Sequence, residues 1–155
     1  MNAIHAFDAD VQTANLWIKS INARLAIDDP HVARRALRAV LHTLRDRIGP
    51  QNAAHLAAQL PLIVRGVFFE GWRPEMQTLE RHRAAFMDRV VANFGAGPKP
   101  LPDLAVLAVL HTLWNHIDPG EAAKIKRLLP EEIAVLWPSG PDAVDFAAPH
   151  HAQRG

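Results

Sequence analysis

The chain carries nine histidines, the residues best suited to bind a metal or move a proton near neutral pH. A metal site on helices takes ligands three or four residues apart, so that both leave the same face. No histidine pair here has that spacing. His111 and His116 are five apart and point in different directions, and His42 and His111 stand in two copies of one motif, as inherited structural residues would. His150 and His151 are adjacent near the C-terminus, where metal binding would be adventitious. Only two serines occur, Ser20 and Ser139, neither in a nucleophile-elbow context. There is no cysteine, which excludes thiol chemistry, disulfides and thiolate-bound zinc. The segment GAGPKP lacks the preceding strand and the Gly-Lys-Ser/Thr ending of a phosphate loop. Asp8, Asp29, Asp118, Glu131 and Glu132 fall at expected helix starts, where capping accounts for them. The pattern predicts no catalytic centre, no cofactor and no metal.

Two other groups invite a binding role. Arg65 sits within the longest mostly apolar run, LPLIVRGVFFEGW from Leu60 to Trp72. A buried arginine needs a partner, because an unpaired buried charge is expensive. Glu70 is five residues on, about 140° around a helix, and is a poor intrahelical partner. In the plainer reading Arg65 emerges at the helix flank and caps carbonyls or pairs with a carboxylate such as Asp46 or Asp88. In the sharper one Arg65, Glu70, Trp72 and Arg73 form a small anion or partner site. The second group is a basic stripe, His31, Arg34, Arg38, His42 and Arg45, which is expected to be an exposed, solvated face. Arg34, Arg38 and Arg45 would then be available to an acidic partner or, less favourably, to nucleic-acid phosphates.

These residues must be positioned by helices. The chain is rich in Ala, Leu and Arg and has no Tyr. A first helix is expected from an Asp8 or Asp10 cap to about Ala26, its apolar face being Val11, Ala14, Trp17, Ile18, Ile21 and Leu25. A second runs from about Pro30 to Arg47, with Leu37, Val40, Leu41, Leu44 and Ile48 on its core face. Gly49-Pro50 breaks the chain before a short third helix. The run after Pro61 reads as a buried strand or a buried helix. Gly66 would weaken either element, but in a helix it would admit a close neighbour, and Gly71 would end the element. A fifth helix is expected from about Gln77 to Phe94, burying Leu79, Phe86, Met87, Val90 and Phe94. A linker spans Gly95 to Pro102.

Beyond that linker the pattern repeats. Ala39-Val-Leu-His-Thr-Leu44 recurs as Ala108-Val-Leu-His-Thr-Leu113. Ile48, Pro50, Ala53-Ala54 and Leu60-Pro61 recur at the same offset as Ile117, Pro119, Ala122-Ala123 and Leu129-Pro130. Pro130 is followed by two glutamates, a helix-start signal that favours the helical reading after Pro61 as well. Leu104, Leu107 and Trp114 replace Arg35, Arg38 and Arg45 in the second copy. The sixth helix is therefore expected to be central and the second peripheral. The expectation is one all-α domain over residues 1–137, about eight helices in two pseudo-equivalent halves (about 30–72 and 102–137), arranged as an orthogonal bundle. The Pro- and Gly-rich tail, residues 138–155, is expected to be disordered or docked through Val144 and Phe146.

Charges nearly balance, 17 basic against 16 acidic, which weighs against a general nucleic-acid or membrane binder. No run approaches the ~20 apolar residues of a membrane span. The N-terminus lacks a signal-peptide pattern, and a cytoplasmic location is expected.

ALRAVLHTLRDRIG, AAHLAAQLPLIVRGVFFEGW and GEAAKIKRLLPEEIAVLWP together resemble the DUF2267 family of bacterial helical proteins, over about Thr13 to Trp137. Phe68-Phe69 stands where that family often has an aromatic pair containing Tyr. The resemblance implies an all-α fold of packed short and medium helices and brings no activity, cofactor or substrate. The functional expectation is a non-enzymatic interaction or scaffold protein that binds an unknown protein partner or a second copy of itself through the arginine-rich helix and RGVFFEGWRP. A small-molecule or anion pocket near Arg65 and Trp72 is the alternative, and DNA binding through Arg34, Arg38 and Arg45 the weaker one.

Overall fold

A computed structural model of the chain describes residues 4–138. The expected docking residues Val144 and Phe146 lie outside the described residues. Among the described residues there are eight helices and no strand. They are α1 Asp8–Arg24, α2 Pro30–Ile48, α3 Pro50–Ala57, α4 Leu62–Phe69, α5 Arg83–Phe94, α6 Pro102–His116, α7 Pro119–Leu128 and α8 Glu131–Ala134.

Local sequence sets most of these boundaries. Proline opens α2, α3, α6 and α7, where its missing N–H would be unpaired in any case. The Asp29 carboxylate caps α2 by accepting from the His31 N–H at 2.9 Å, and Asp118 caps α7 by accepting from the Glu121 N–H at 3.1 Å. Asn22 closes the α1–α2 turn, accepting from the Asp29 N–H and donating to the Asp28 carboxylate. Gly49, at φ +86°, makes the corner between α2 and α3. Asp8 and Asp10 lie in the first turn of α1 and the cap position is Phe7, so the acids there oppose the helix dipole without capping.

The core is built around α2 and α6, which pack on each other and on α1 and α5. Trp17, Phe68 and Phe86 are enclosed completely, each side chain of this size contributing about 2–3 kcal/mol on burial. α2 is not peripheral as expected. It packs on α1, α3, α4, α5 and α6, and twelve of its nineteen residues are buried, among them His42 and Arg45. Of the expected exposed basic stripe, His42 and Arg45 are buried and Arg38 is half-buried, whereas His31 and Arg34 are exposed. The reason is that Arg38 and Arg45, like Arg35 beside them, find carbonyl partners on neighbouring elements and become part of the packing.

The apolar run after Pro61 is a helix, α4. Gly66 lies on its outer side, with no atom close to where a Cβ would stand, so no neighbour makes the expected close approach. The fifth helix starts at Arg83 and not near Gln77, and Leu79 is 79% exposed. The segment before α5 is instead tied to the end of α2. The Thr78 N–H donates to the Asp46 carbonyl at 3.0 Å, and Arg47 Nε donates to the Glu80 carbonyl at 2.8 Å. A helix running from Gln77 would take the Glu80 carbonyl for its own ladder and withdraw it from Arg47.

Candidate functional site

The candidate residues divide into an inward-facing set and an open groove. The inward set meets the C-terminal end of α4. A helix leaves its last four carbonyls without intrahelical partners, and in a two-turn helix that is half of them. Arg38, His42 and Arg45 stand at i, i+4 and i+7 on one face of α2, the face that meets this end. The His42 Nε2–H donates to the Val67 carbonyl at 2.7 Å, which fixes the ring's proton on Nε2. Arg45 donates to the Phe68 carbonyl at 2.9 Å and the Glu70 carbonyl at 3.0 Å, and its Nε donates to the Asp46 carboxylate at 2.8 Å. With its side chain only 6% exposed, Arg45 is a buried, fully engaged cation. Arg38 donates to the Glu70 carboxylate at 2.8 Å and to the Asn93 carbonyl of α5 at 3.3 Å. Positive side chains at a helix C-terminus also oppose its negative dipole end.

Electrostatics follow the geometry. Burial, followed by the charges of Arg45 and Arg38, lowers the His42 pKa against the opposing effect of its carbonyl bond. The ring is therefore held neutral as a donor. The hydrogen bond from Arg38 lowers the Glu70 pKa and keeps that carboxylate ionised.

Two more arginines do the same work elsewhere. Arg65 donates to the Ala57 carbonyl at 2.9 Å and the Leu60 carbonyl at 2.8 Å, capping α3. The plainer reading of Arg65 describes its contacts, with carbonyl partners in place of Asp46 or Asp88. Arg35 donates to the carbonyls of Phe94, Ala96 and Pro98, gripping the end of α5 and the linker, and its guanidinium lies 5.3 Å from the centre of the Phe94 ring.

The structure therefore brings Arg38, Arg45 and Glu70 together and draws Arg65 away from them. Trp72 is half-buried with its ring 5.0 Å from that of Phe69. Arg73 is exposed and pairs with Glu75 at 3.1 Å. Among the described residues, no three His, Cys, Asp or Glu side chains converge to hold a metal. No helix among them is long and apolar enough to cross a membrane.

Arg34 differs from the other arginines of α2. It is exposed and makes no hydrogen bond or ion pair among the described residues. It stands at the rim of a groove of about 160 Å3 between α1, α2 and α4, whose walls include Val11, Ala14, Ile18, Ile63 and Val67. Val11, expected in the core, is 45% exposed; Ile63 is 38% and the neighbouring Phe7 65% exposed. Sequence reasoning missed this groove. Its signal was the stripe Phe7, Val11, Ala14 and Ile18 at steps of four, three and four. This stripe continues the core face of α1 towards its N-terminus, past the point where α2 and α6 cover it.

The family described as "Uncharacterized conserved protein (DUF2267)" matches the chain over residues 14–136, and the chain belongs to that family. No curated protein matches it.

Proposed function

We propose that this member of the DUF2267 family is a non-enzymatic protein-interaction module. Its docking site is the apolar groove between α1, α2 and α4. The occupant is a helical segment with an apolar stripe and a flanking carboxylate. The observation that carries this reading is Arg34, which makes no hydrogen bond or ion pair among the described residues, has the Glu70 carboxylate as a nearby opposite charge, and stands at the edge of exposed Val11 and Ile63. Arginine beside an apolar pocket is a common anchor of protein interfaces, and the exposed guanidinium selects an acid over a base. The inward set supports the same reading by subtraction. Arg38, Arg45 and Arg65 already have partners, so the RGVFFEGWRP face and the arginine trio offer less to a ligand or to phosphate than the sequence suggests.

We also read the chain as an internal duplication with its two halves packed through α2 and α6. Support comes from the elements: α3 and α7 begin at Pro50 and Pro119, and α4 and α8 at Leu62 and Glu131, each pair 69 residues apart.

The test is fluorescence anisotropy with two labelled helical peptides that share an apolar stripe and differ in acidic or basic flanks. The acidic peptide should bind, and Ile63→Asp should weaken it at least about tenfold, the loss typical of an interface anchor. Equal binding of both peptides, or none of either, would count against the groove.

A further inference from the structure

The occupant can be named more closely by asking what on this chain fits the groove. The α1 stripe Phe7, Val11, Ala14 and Ile18, exposed at Phe7 and Val11 and half-buried at Ala14 and Ile18, has the spacing of a coiled-coil seam. Its flanks are polarised. Asp8 and Asp10 lie at the N-terminal end, Asp8 also within 2.7 Å of His5. Lys19 and Arg34 lie at the other end, both exposed. A surface with acid at one end of an apolar stripe and base at the other is complementary to itself turned end for end. Such self-complementarity is what a two-fold interface requires.

We propose that a second copy of the chain fills the groove, the two α1 helices packing antiparallel across a two-fold axis near Val11 and Ala14. Phe7 then meets Ile18 of the partner subunit, and Val11 meets Ala14 of the partner subunit, whose small side chain lets the helices approach. The acidic end of each α1 lies over the Lys19 and Arg34 end of the other. Leu62 and Ile63 of α4, both exposed in the single chain, cover the seam from the side. This inference rests on the docking reading above and names its partner.

Sedimentation equilibrium of the full chain tests it. The expected mass is twice the 17.1 kDa of one chain. Val11→Asp should weaken the dimer at least about tenfold, and Arg34→Glu and Asp8→Lys should each weaken it several-fold, as charge reversals across a docked seam do. Combining Arg34→Glu with Asp8→Lys should restore much of the loss. Circular dichroism melts verify that each variant is folded. Since the chain has no cysteine, a second measurement needs no destabilising change. Val11→Cys mixed with Ala14→Cys should form a heterodisulfide under mild oxidation faster than Leu16→Cys, on another side of α1, links to either. A monomer at every concentration, with the acidic peptide still bound in the groove, overturns the second copy and leaves the docking reading intact. A monomer that also fails to bind the peptide overturns both. A dimer indifferent to Val11→Asp and to the charge reversals overturns the proposed seam.

Discussion

α2 and α6 carry the same six residues, AVLHTL, and use them in different surroundings. In both, the threonine is buried and donates to the carbonyl four residues back: Thr43 to Ala39 and Thr112 to Ala108. In both, it also meets a polar side chain on a flanking helix. Thr43 accepts from Asn93 of α5 at 2.8 Å, and Thr112 pairs with Ser20 of α1 at 2.9 Å. The histidines part company. His42 reaches across to α4, whereas His111, also buried, lies 3.1 Å from the Asn115 side chain on its own helix.

The larger difference lies in the flanking positions. α2 has Arg35, Arg38 and Arg45 where α6 has Leu104, Leu107 and Trp114. The arginines hold the ends of α4 and α5, and α6 offers apolar surface instead. The helices that follow differ accordingly. α4, whose last carbonyls are capped from α2, has eight residues; α8, which begins 69 residues later, has four. Arg65, which joins α4 to α3, is matched by Ala134. Of the two short helices, the longer is the one whose last carbonyls accept from a neighbouring helix.

The largest effect should come from removing the deepest cap. Arg45→Met strands the Phe68 and Glu70 carbonyls and leaves Asp46 without its partner, and should cost about 3–5 kcal/mol, as broken buried charge networks do. Urea denaturation would read it; a loss too small to resolve would mean that the cap is incidental. Arg65→Met removes two bonds from a half-buried guanidinium and should cost about 1–3 kcal/mol. It should also speed hydrogen exchange at the α3–α4 turn while leaving α7 and α8 unchanged.

Acidification should act on α2 selectively. His42 binds its proton less readily in the folded chain than in the unfolded one. Its contribution is therefore complete above the ordinary histidine pKa of about 6.5 and declines as pH falls below it, because the unfolded chain takes up the proton first. The slope of stability between neutral pH and mild acid should flatten in His42→Gln, which retains an N–H donor. An unchanged slope would show that the ring is not the group responsible. The smallest effect is a gain. Gly66→Ala places a methyl where no atom stands close and should stabilise α4 by about 0.5–1 kcal/mol. A loss in thermal melting would mean that α4 needs the freedom of glycine.

Helix type was legible because the 3.6-residue period, the prolines at helix starts and the acidic caps at Asp29 and Asp118 all act locally. The family was legible from long motif strings. Burial of charge was not. From sequence alone, Arg45 on a stripe with Arg34 and Arg38 reads as solvated, and only the packing of α4 against α2 shows that two carbonyls await it. The start of α5 was missed for the same reason, since Thr78 and Glu80 bond to the end of α2, far away in sequence. Val11 shows the converse. Its periodicity is that of a core residue, but periodicity does not say how far along a helix the cover extends.

The central claim is that Arg35, Arg38, His42 and Arg45 of α2 are taken up in holding helix ends, leaving the groove between α1, α2 and α4 as the proposed binding surface. Amide NMR of the full chain, titrated with the acid-flanked helical peptide, tests it most directly. The account predicts shifts at Val11, Ile18, Arg34 and Ile63 that vanish in Arg34→Glu and persist in Arg73→Ala. Shifts centred on Glu70, Trp72 and Arg73, with the groove silent, would contradict it and return the binding surface to RGVFFEGWRP.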